Sequence, residues 1–210
     1  MKNIKLLYLF VMLLSVMGLA SCSENDDTEE EYPNWQVTNT KYFSNLKDSV
    51  SKLVAAGDTA EWNIYKIWSQ TDYKAGDKSD SVIIVHKLKN GTGSGCPIYT
   101  DSVRVHYGGK LLPSTSYPSG YKFAQSYSTS LSDYDVTTCI PAKLAVSGVI
   151  DGFSTALQRM HIGDRWIVYM PYQLGYGTSG STSIPGYSVL IYDMQLAAYY
   201  RAGQIVPPWK

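Results

Sequence analysis

The chain has 210 residues, 44% of them hydrophobic, and 18 basic side chains balance 18 acidic ones. That balance gives no sign of the basic face a nucleic-acid binder needs. The three histidines, His86, His106 and His161, are scattered and no Cys/His cluster has metal-ligand spacing, so no metal or other cofactor is expected.

Lys2 and Lys5 lead into an apolar run over 6–16, too short to span a bilayer comfortably. A basic start, a short apolar stretch and small residues before a cleavage point read as a secretory signal peptide over 1–21. Its ending, Leu19-Ala20-Ser21-Cys22, resembles a bacterial lipobox. Cys22 is then the lipidated residue, and the protein is expected to be an exported outer-membrane lipoprotein, facing the periplasm or the cell surface. Loss of Lys2 and Lys5 leaves 16 basic against 18 acidic residues in the mature chain. Residues 22–35 form the lipid-bearing end and an acidic tether, "SENDDTEEEYP" over 23–33 carrying six acids and no base. Acids directly after such a cysteine resemble the surface-export signal of Bacteroides-like lipoproteins.

In "KYFSNLKDSVSKLVAAG", Phe43, Leu46, Val50, Leu53 and Val54 recur at spacings of three and four and stop at Gly57. The spacing predicts an amphipathic helix over 41–57, within an N-terminal helical extension over 36–75. That helix could pack on the following domain, dimerise or act as a spacer. Shorter alternating runs begin at "WNIYKIW" (62–68). "SVIIVHKL" (81–88) predicts a strand, "NGTGSG" (90–95) a turn, and "DSVRVHYGGKLL" (101–112) a strand broken by glycines. "YKFAQSY" is another short strand, followed by a polar loop over 128–140. In "VIDGFSTALQRMHIG", Asp151 reads as an N-cap, Phe153, Ala156, Leu157 and Met160 share one face, and Gly163 marks the stop. "RWIVYMP" (165–171) alternates, and "YSVLIYDMQLAAYY" (187–200) supplies the last long strand before a Pro-rich tail over 203–210. Many antiparallel strands around one short helix predict an α+β domain with the helix laid against one face of the sheet. Cys96 and Cys139 are an even pair in an oxidising compartment, so a disulfide and two separate buried thiols are both open. Eighteen tyrosines against four phenylalanines supply aromatic area with polar tips, which suits a wet pocket as well as a core.

The motif order resembles the FK506-binding-protein (FKBP) type of peptidyl-prolyl isomerase. The resembling pieces are "NGTGSGCPIYTDSVRVHYGGKLL", "GYKFAQSYS", "PAKLAVSGVIDGFSTALQRMHIGDRWIVYMPYQLGYG" and "SIPGYSVLIYDMQLAAY", in family order over roughly 82–200. The resemblance implies an FKBP-type domain over 76–202, an antiparallel half-barrel sheet wrapped around the short helix with an apolar pocket between them. It implies that Tyr107 walls this pocket, Phe123 comes from the next strand, and Val149 and Ile150 line the rim, the Ile150 N–H donating to the substrate carbonyl. Phe153 forms the floor where many members have Trp. Tyr176 offers its hydroxyl, Ile184 sits at the tip of the following loop, and Tyr192, usually Phe, closes the back wall. The implied ligands are proline-containing polypeptides and FK506-like macrolides, with a folding-helper role.

Two further positions differ from the family pattern. Ala124 stands where an acid usually follows the pocket Phe, and Ala142 where another aromatic is usual; 17 residues separate Phe123 from Pro141. A larger, less charged cavity follows, so a catalytically weak FKBP-fold binding lipoprotein is the alternative to an active isomerase. A third reading is a surface lipoprotein that uses exposed tyrosines for glycan or partner binding. His106 and His161 read as ordinary surface or strand residues, and Asp193 as structural rather than catalytic.

Overall fold

A computed structural model describes residues 29–127 and 139–209. The leader, Cys22 and most of the 128–140 loop lie outside the described residues. Met1–Glu30 and Glu31–Lys210 are separate units, and only Glu29 and Glu30 of the first are described. The sheet and both helices belong to the second unit.

Among the described residues, seven strands form one antiparallel sheet: β1 (Trp62–Lys66), β2 (Val82–Lys89), β3 (Ser102–Lys110), β4 (Lys122–Gln125), β5 (Ala142–Ala145), β6 (Arg165–Met170) and β7 (Leu190–Tyr200). Their spatial order is β1-β2-β6-β7-β3-β4, and β5 also pairs with β3. The free edge of β3 is therefore shared end to end: Ser102–Val105 pair with β5, and Gly108–Lys110 with β4. The alternation of β6 matches its pattern, with Trp166, Val168 and Met170 buried. Val82, Ile83, Ile84 and Val85 are instead buried as a continuous run, because helices cover both faces of β2.

The helix on the concave face is α2 (Asp151–Leu157), where Phe153, Ala156 and Leu157 are buried. It approaches β6 closely: a Cβ on Gly152 would lie 2.8 Å from the Met170 side chain, so any larger residue there would push helix and sheet apart. Asp151 is not the N-cap. It is the first helical residue, and Ile150 caps the helix without a side-chain hydrogen bond. Nor is Gly163 the helix stop, since α2 ends at Leu157 and Gly163 lies in the turn 161–164. That turn receives the 90–95 glycine turn, with Gly91 N–H donating to Asp164 Oδ1 at 2.6 Å and Gly93 N–H to Ile162 O at 3.1 Å.

The other helix, α1 (Trp35–Ala55), lies against β1 and β2. It begins six residues before the expected start at Lys41. The buried stripe runs Trp35, Asn39, Phe43, Val50, and a polar residue at its second position hides the periodicity. Asn39 can be buried because both polar atoms of its side chain are hydrogen-bonded. Its Nδ2 donates to Trp35 O at 2.8 Å, and its Oδ1 accepts from Val189 N–H at 2.7 Å. Trp35 Nε1 donates to Ser188 Oγ at 2.8 Å. The boundary expected at 75/76 therefore separates nothing: β1 is a strand of the same sheet, and Trp68 N–H donates to Thr155 Oγ1 of α2 at 3.2 Å. Of the three expected roles for the first helix, packing on the domain is the one observed. β5 was not foreseen, being only four residues long. Cys139 is buried and Cys96 half-buried, with no disulfide between them.

Candidate functional site

Four aromatic rings from β3, β4, α2 and β7 meet on the concave face. Phe153, 3% exposed, stands edge-on to Tyr192 at 5.1 Å and to Tyr107 at 5.5 Å between ring centroids. Phe123 stands edge-on to Tyr192 at 5.4 Å, and Tyr107 lies 6.2 Å from Tyr192. The three perpendicular pairs place positive edges on negative faces, which fixes the four rings against one another as a box.

The sheet register explains how one short strand supplies two neighbours to this box. Gly109 pairs with Tyr192 on one side and Ala124 on the other, so these three share a face. Lys110 pairs with Lys122, leaving Phe123 unmatched in a bulge. The bulge turns Phe123 to the same face as Ala124. Gly109 is a spatial requirement, because a Cβ there would lie 2.7 Å from the Tyr192 ring and 2.8 Å from Phe123. Ser126 holds the start of this region: Tyr107 N–H donates to its Oγ and Ser126 N–H to Tyr107 O, both at 2.9 Å.

Hydroxyls gather at one side of the box. Burial pushes the Tyr192 hydroxyl far above its ordinary value; the neighbouring hydroxyls of Tyr176 and Tyr107 and a hydrogen bond to Tyr176 add to this. Tyr107 is also raised, first by burial and then by Tyr176. Tyr176 itself is 38% exposed, on a loop tightened by Gly177 N–H donating to Tyr172 O at 2.8 Å and Gly180 N–H to Tyr176 O at 3.1 Å.

Val149 and Ile150 are half-buried and pack against the core at the start of α2, where the Ile150 carbonyl accepts from Ser154 N–H at 2.9 Å. Ala142 pairs with Val105 on β5, two residues before Tyr107. Ile184 closes the 181–184 turn of the following loop through the Ser181–Ile184 bridge, and its side chain is only 4% exposed. His106 is a buried strand residue, and burial lowers its pKa, so it is neutral. His161 is half-exposed beside Asp164. Asp193 forms a two-pronged ion pair with Arg165, at 3.0 and 2.7 Å, and lines the other face of the sheet, as expected of a structural acid.

Cavity size does not mark the site. A groove of about 710 Å³ runs along that other face, past Tyr42, Tyr169 and Ile191, and contains none of the four rings; Ala124, on the edge strand β4, borders it as well. Gly109 and Ser126 were not anticipated as site residues: "GG" reads as a strand break, and its pairing with Tyr192 appears only in the register. Among the described residues, no three His, Cys, Asp or Glu side chains are placed to hold a metal, and no helix is long and apolar enough to cross a membrane.

A family model described as FKBP-type peptidyl-prolyl cis-trans isomerase matches residues 96–197. The macrophage infectivity potentiator of Trypanosoma cruzi is 31% identical over 128 residues, 60% of this chain and 58% of that protein. The FKBP-type 22 kDa peptidyl-prolyl cis-trans isomerase of Escherichia coli K12 is 33% identical over 121 residues, 57% of this chain and 51% of that one. The chain thus spans little more than half the length of these curated relatives. Among solved structures, a peptidyl-prolyl cis-trans isomerase from Pseudomonas syringae matches with a TM-score of 0.48 at 24% identity, over 77% of this chain and 96% of that one. FkpA from Escherichia coli matches with a TM-score of 0.49 at 21% identity, over 80% and 65%.

Proposed function

From a chain that belongs to the FKBP-type peptidyl-prolyl cis-trans isomerase family, we propose that the four-ring box catalyses cis–trans isomerisation of X-Pro bonds in extracytoplasmic polypeptides. The observation that carries this reading is the convergence of Tyr107, Phe123, Phe153 and Tyr192 beside a chain of hydroxyls. The barrier to rotation, ~18–20 kcal/mol, comes from amide resonance, which leaves X-Pro bonds switching in tens to hundreds of seconds. No bond breaks, so neither nucleophile nor metal is required. What accelerates rotation is a site that favours the twisted amide over both planar forms. An acceleration of roughly 10⁵-fold needs about 7 kcal/mol of that preference.

Phe153 and Tyr192 provide a floor and back wall that hold the prolyl ring, with Phe123 and Tyr107 flanking it and Val149 at the rim. Twisting removes the charge separation of the planar amide, so apolar walls favour the twisted form over the planar ones. Ile150 N–H and the half-exposed Tyr176 hydroxyl are the donors for substrate carbonyls. The same box would accept an FK506-like macrolide.

The test is cis–trans exchange in an X-Pro peptide followed by NMR with and without protein. Exchange accelerated at catalytic concentrations supports the isomerase. Peptide binding with no acceleration leaves the alternative, a prolyl-binding lipoprotein. The specific observation favouring that alternative is Ala124, which the register turns to the box face and which brings no carboxylate there.

The leader features support an exported, lipid-anchored protein, with Cys22 as the modified residue. Cys22→Ala is expected to move the protein from the membrane fraction to the soluble or unprocessed pool. An unchanged membrane fraction would show that Cys22 carries no anchor.

A further inference from the structure

A second cleft, about 530 Å³, opens between Glu31–Tyr32, the 116–121 turn and the 179–185 loop. Its walls are tyrosines and hydroxyls; among the described residues Glu31 is the only charged group lining it, with no lysine or arginine. Tyr117, 43% exposed, stands edge-on to Tyr121 with ring centroids 4.9 Å apart. The Tyr32 hydroxyl is raised first by burial, then by the Glu31 charge and by Tyr117 and Tyr121, so these three groups lie within electrostatic reach of it.

The carboxylate is fixed in place. Glu31 Oε1 accepts from Ser114 Oγ at 2.6 Å and from Ser116 N–H at 3.1 Å, and Oε2 lies 3.2 Å from the same N–H. These bonds, Ser114 first, hold the carboxyl below its ordinary value, so it is ionised at neutral pH. Among the described residues no lysine or arginine pairs with it. An oriented anion among electron-rich ring faces is complementary to one ligand class, a cation whose stem is apolar.

We propose that this cleft binds a lysine or arginine side chain of an extended polypeptide, its charged head against Glu31 and its methylene stem against Tyr117 and Tyr121. Serine and threonine hydroxyls of the 179–185 loop are positioned to bond the peptide backbone beside it. Ile184 lines this cleft and belongs to the same apolar core as Phe123 and Tyr192. The site does not require proline and stands whether or not the ring box isomerises anything.

The probes are two proline-free pentapeptides, acetyl-Gly-Ala-Lys-Ala-Gly-amide and its norleucine counterpart, titrated into the mature protein and followed by backbone NMR. The lysine peptide is expected to shift the amides of Tyr117, Tyr121 and Thr182 saturably, and to bind at least about fivefold tighter than the norleucine peptide. Raised salt is expected to erase that difference. Glu31→Gln keeps the acceptor oxygen for Ser114 and Ser116 while removing the charge, and is expected to bring the lysine peptide down to the norleucine level. Equal binding of the two peptides, shifts confined to other regions, or an unchanged lysine affinity in Glu31→Gln would each overturn the proposal.

Discussion

Phe153→Ala is expected to destabilise the protein by about 3–5 kcal/mol and to remove prolyl-peptide binding under conditions where the variant is still folded. The ring is 3% exposed and stands edge-on to two of the other three rings, Tyr107 and Tyr192. Truncation forfeits its burial and leaves a cavity that neighbours close only in part. Collapse is restricted here, because Gly152 already brings α2 to within 2.8 Å of Met170 at the position of an added Cβ. The helix has no room to slide toward β6. Urea unfolding measures the stability change, and peptide titration by NMR below the transition measures binding. A loss under about 1 kcal/mol, far below the usual cost of a buried Phe→Ala change, with binding retained would mean that Phe153 fills space without shaping the box.

The stretch that brings Phe123 and Ala124 to the box is "KFAQ". It sets one phenylalanine beside an alanine, and strict alternation would send them to opposite faces. The bulge opposite Lys110 puts both on one face. That Phe123 would come from a short strand after β3 was legible from family resemblance, while the turn of Ala124 to the same face is a register fact that hydropathy does not encode. The same holds for Tyr192. Its place in an alternating strand was plain from "VLIYDMQL", yet the nearness of its hydroxyl to Tyr176 depends on a loop arriving from β6. The burial of Ile184 was hidden for a related reason: a loop that folds back on itself through the Ser181–Ile184 bridge has no periodicity to read.

The strands and the short helix could be read because each carries its own pattern. Val82–Val85 read as a run, and Trp166, Val168 and Met170 alternate. What could not be read is where such elements join. β5, four residues long, finds its partner far away in sequence, with Ala142 opposite Val105 for example. The start of α1 was missed because Asn39, a polar side chain, occupies a core position through two hydrogen bonds. A hydropathy pattern penalises such a residue, while the folded protein uses it.

That buried asparagine bears on the largest effect expected in this protein. Deleting residues 29–57 is expected to cost at least about 5 kcal/mol, since full burial of a large apolar side chain contributes roughly 1.5–3 kcal/mol and Trp35, Phe43 and Val50 are all buried. Against a typical total of about 5–15 kcal/mol, that leaves the chain mostly unfolded or marginal at about 37 °C. The consequence reaches the ring box through Ser188 and Val189. Trp35 bonds the first and Asn39 the second, and Tyr192 follows three residues later on β7. Without α1, the Val189 N–H loses its buried acceptor, and the outer face of β1 and β2 meets water. The measurement is thermal and urea unfolding of the deletion variant beside the intact protein. A single transition shifted far down, with prolyl binding lost in parallel, is the expected outcome. An unshifted transition with binding intact would show that α1 is an appendage after all and that the box is supported by the sheet and α2 alone.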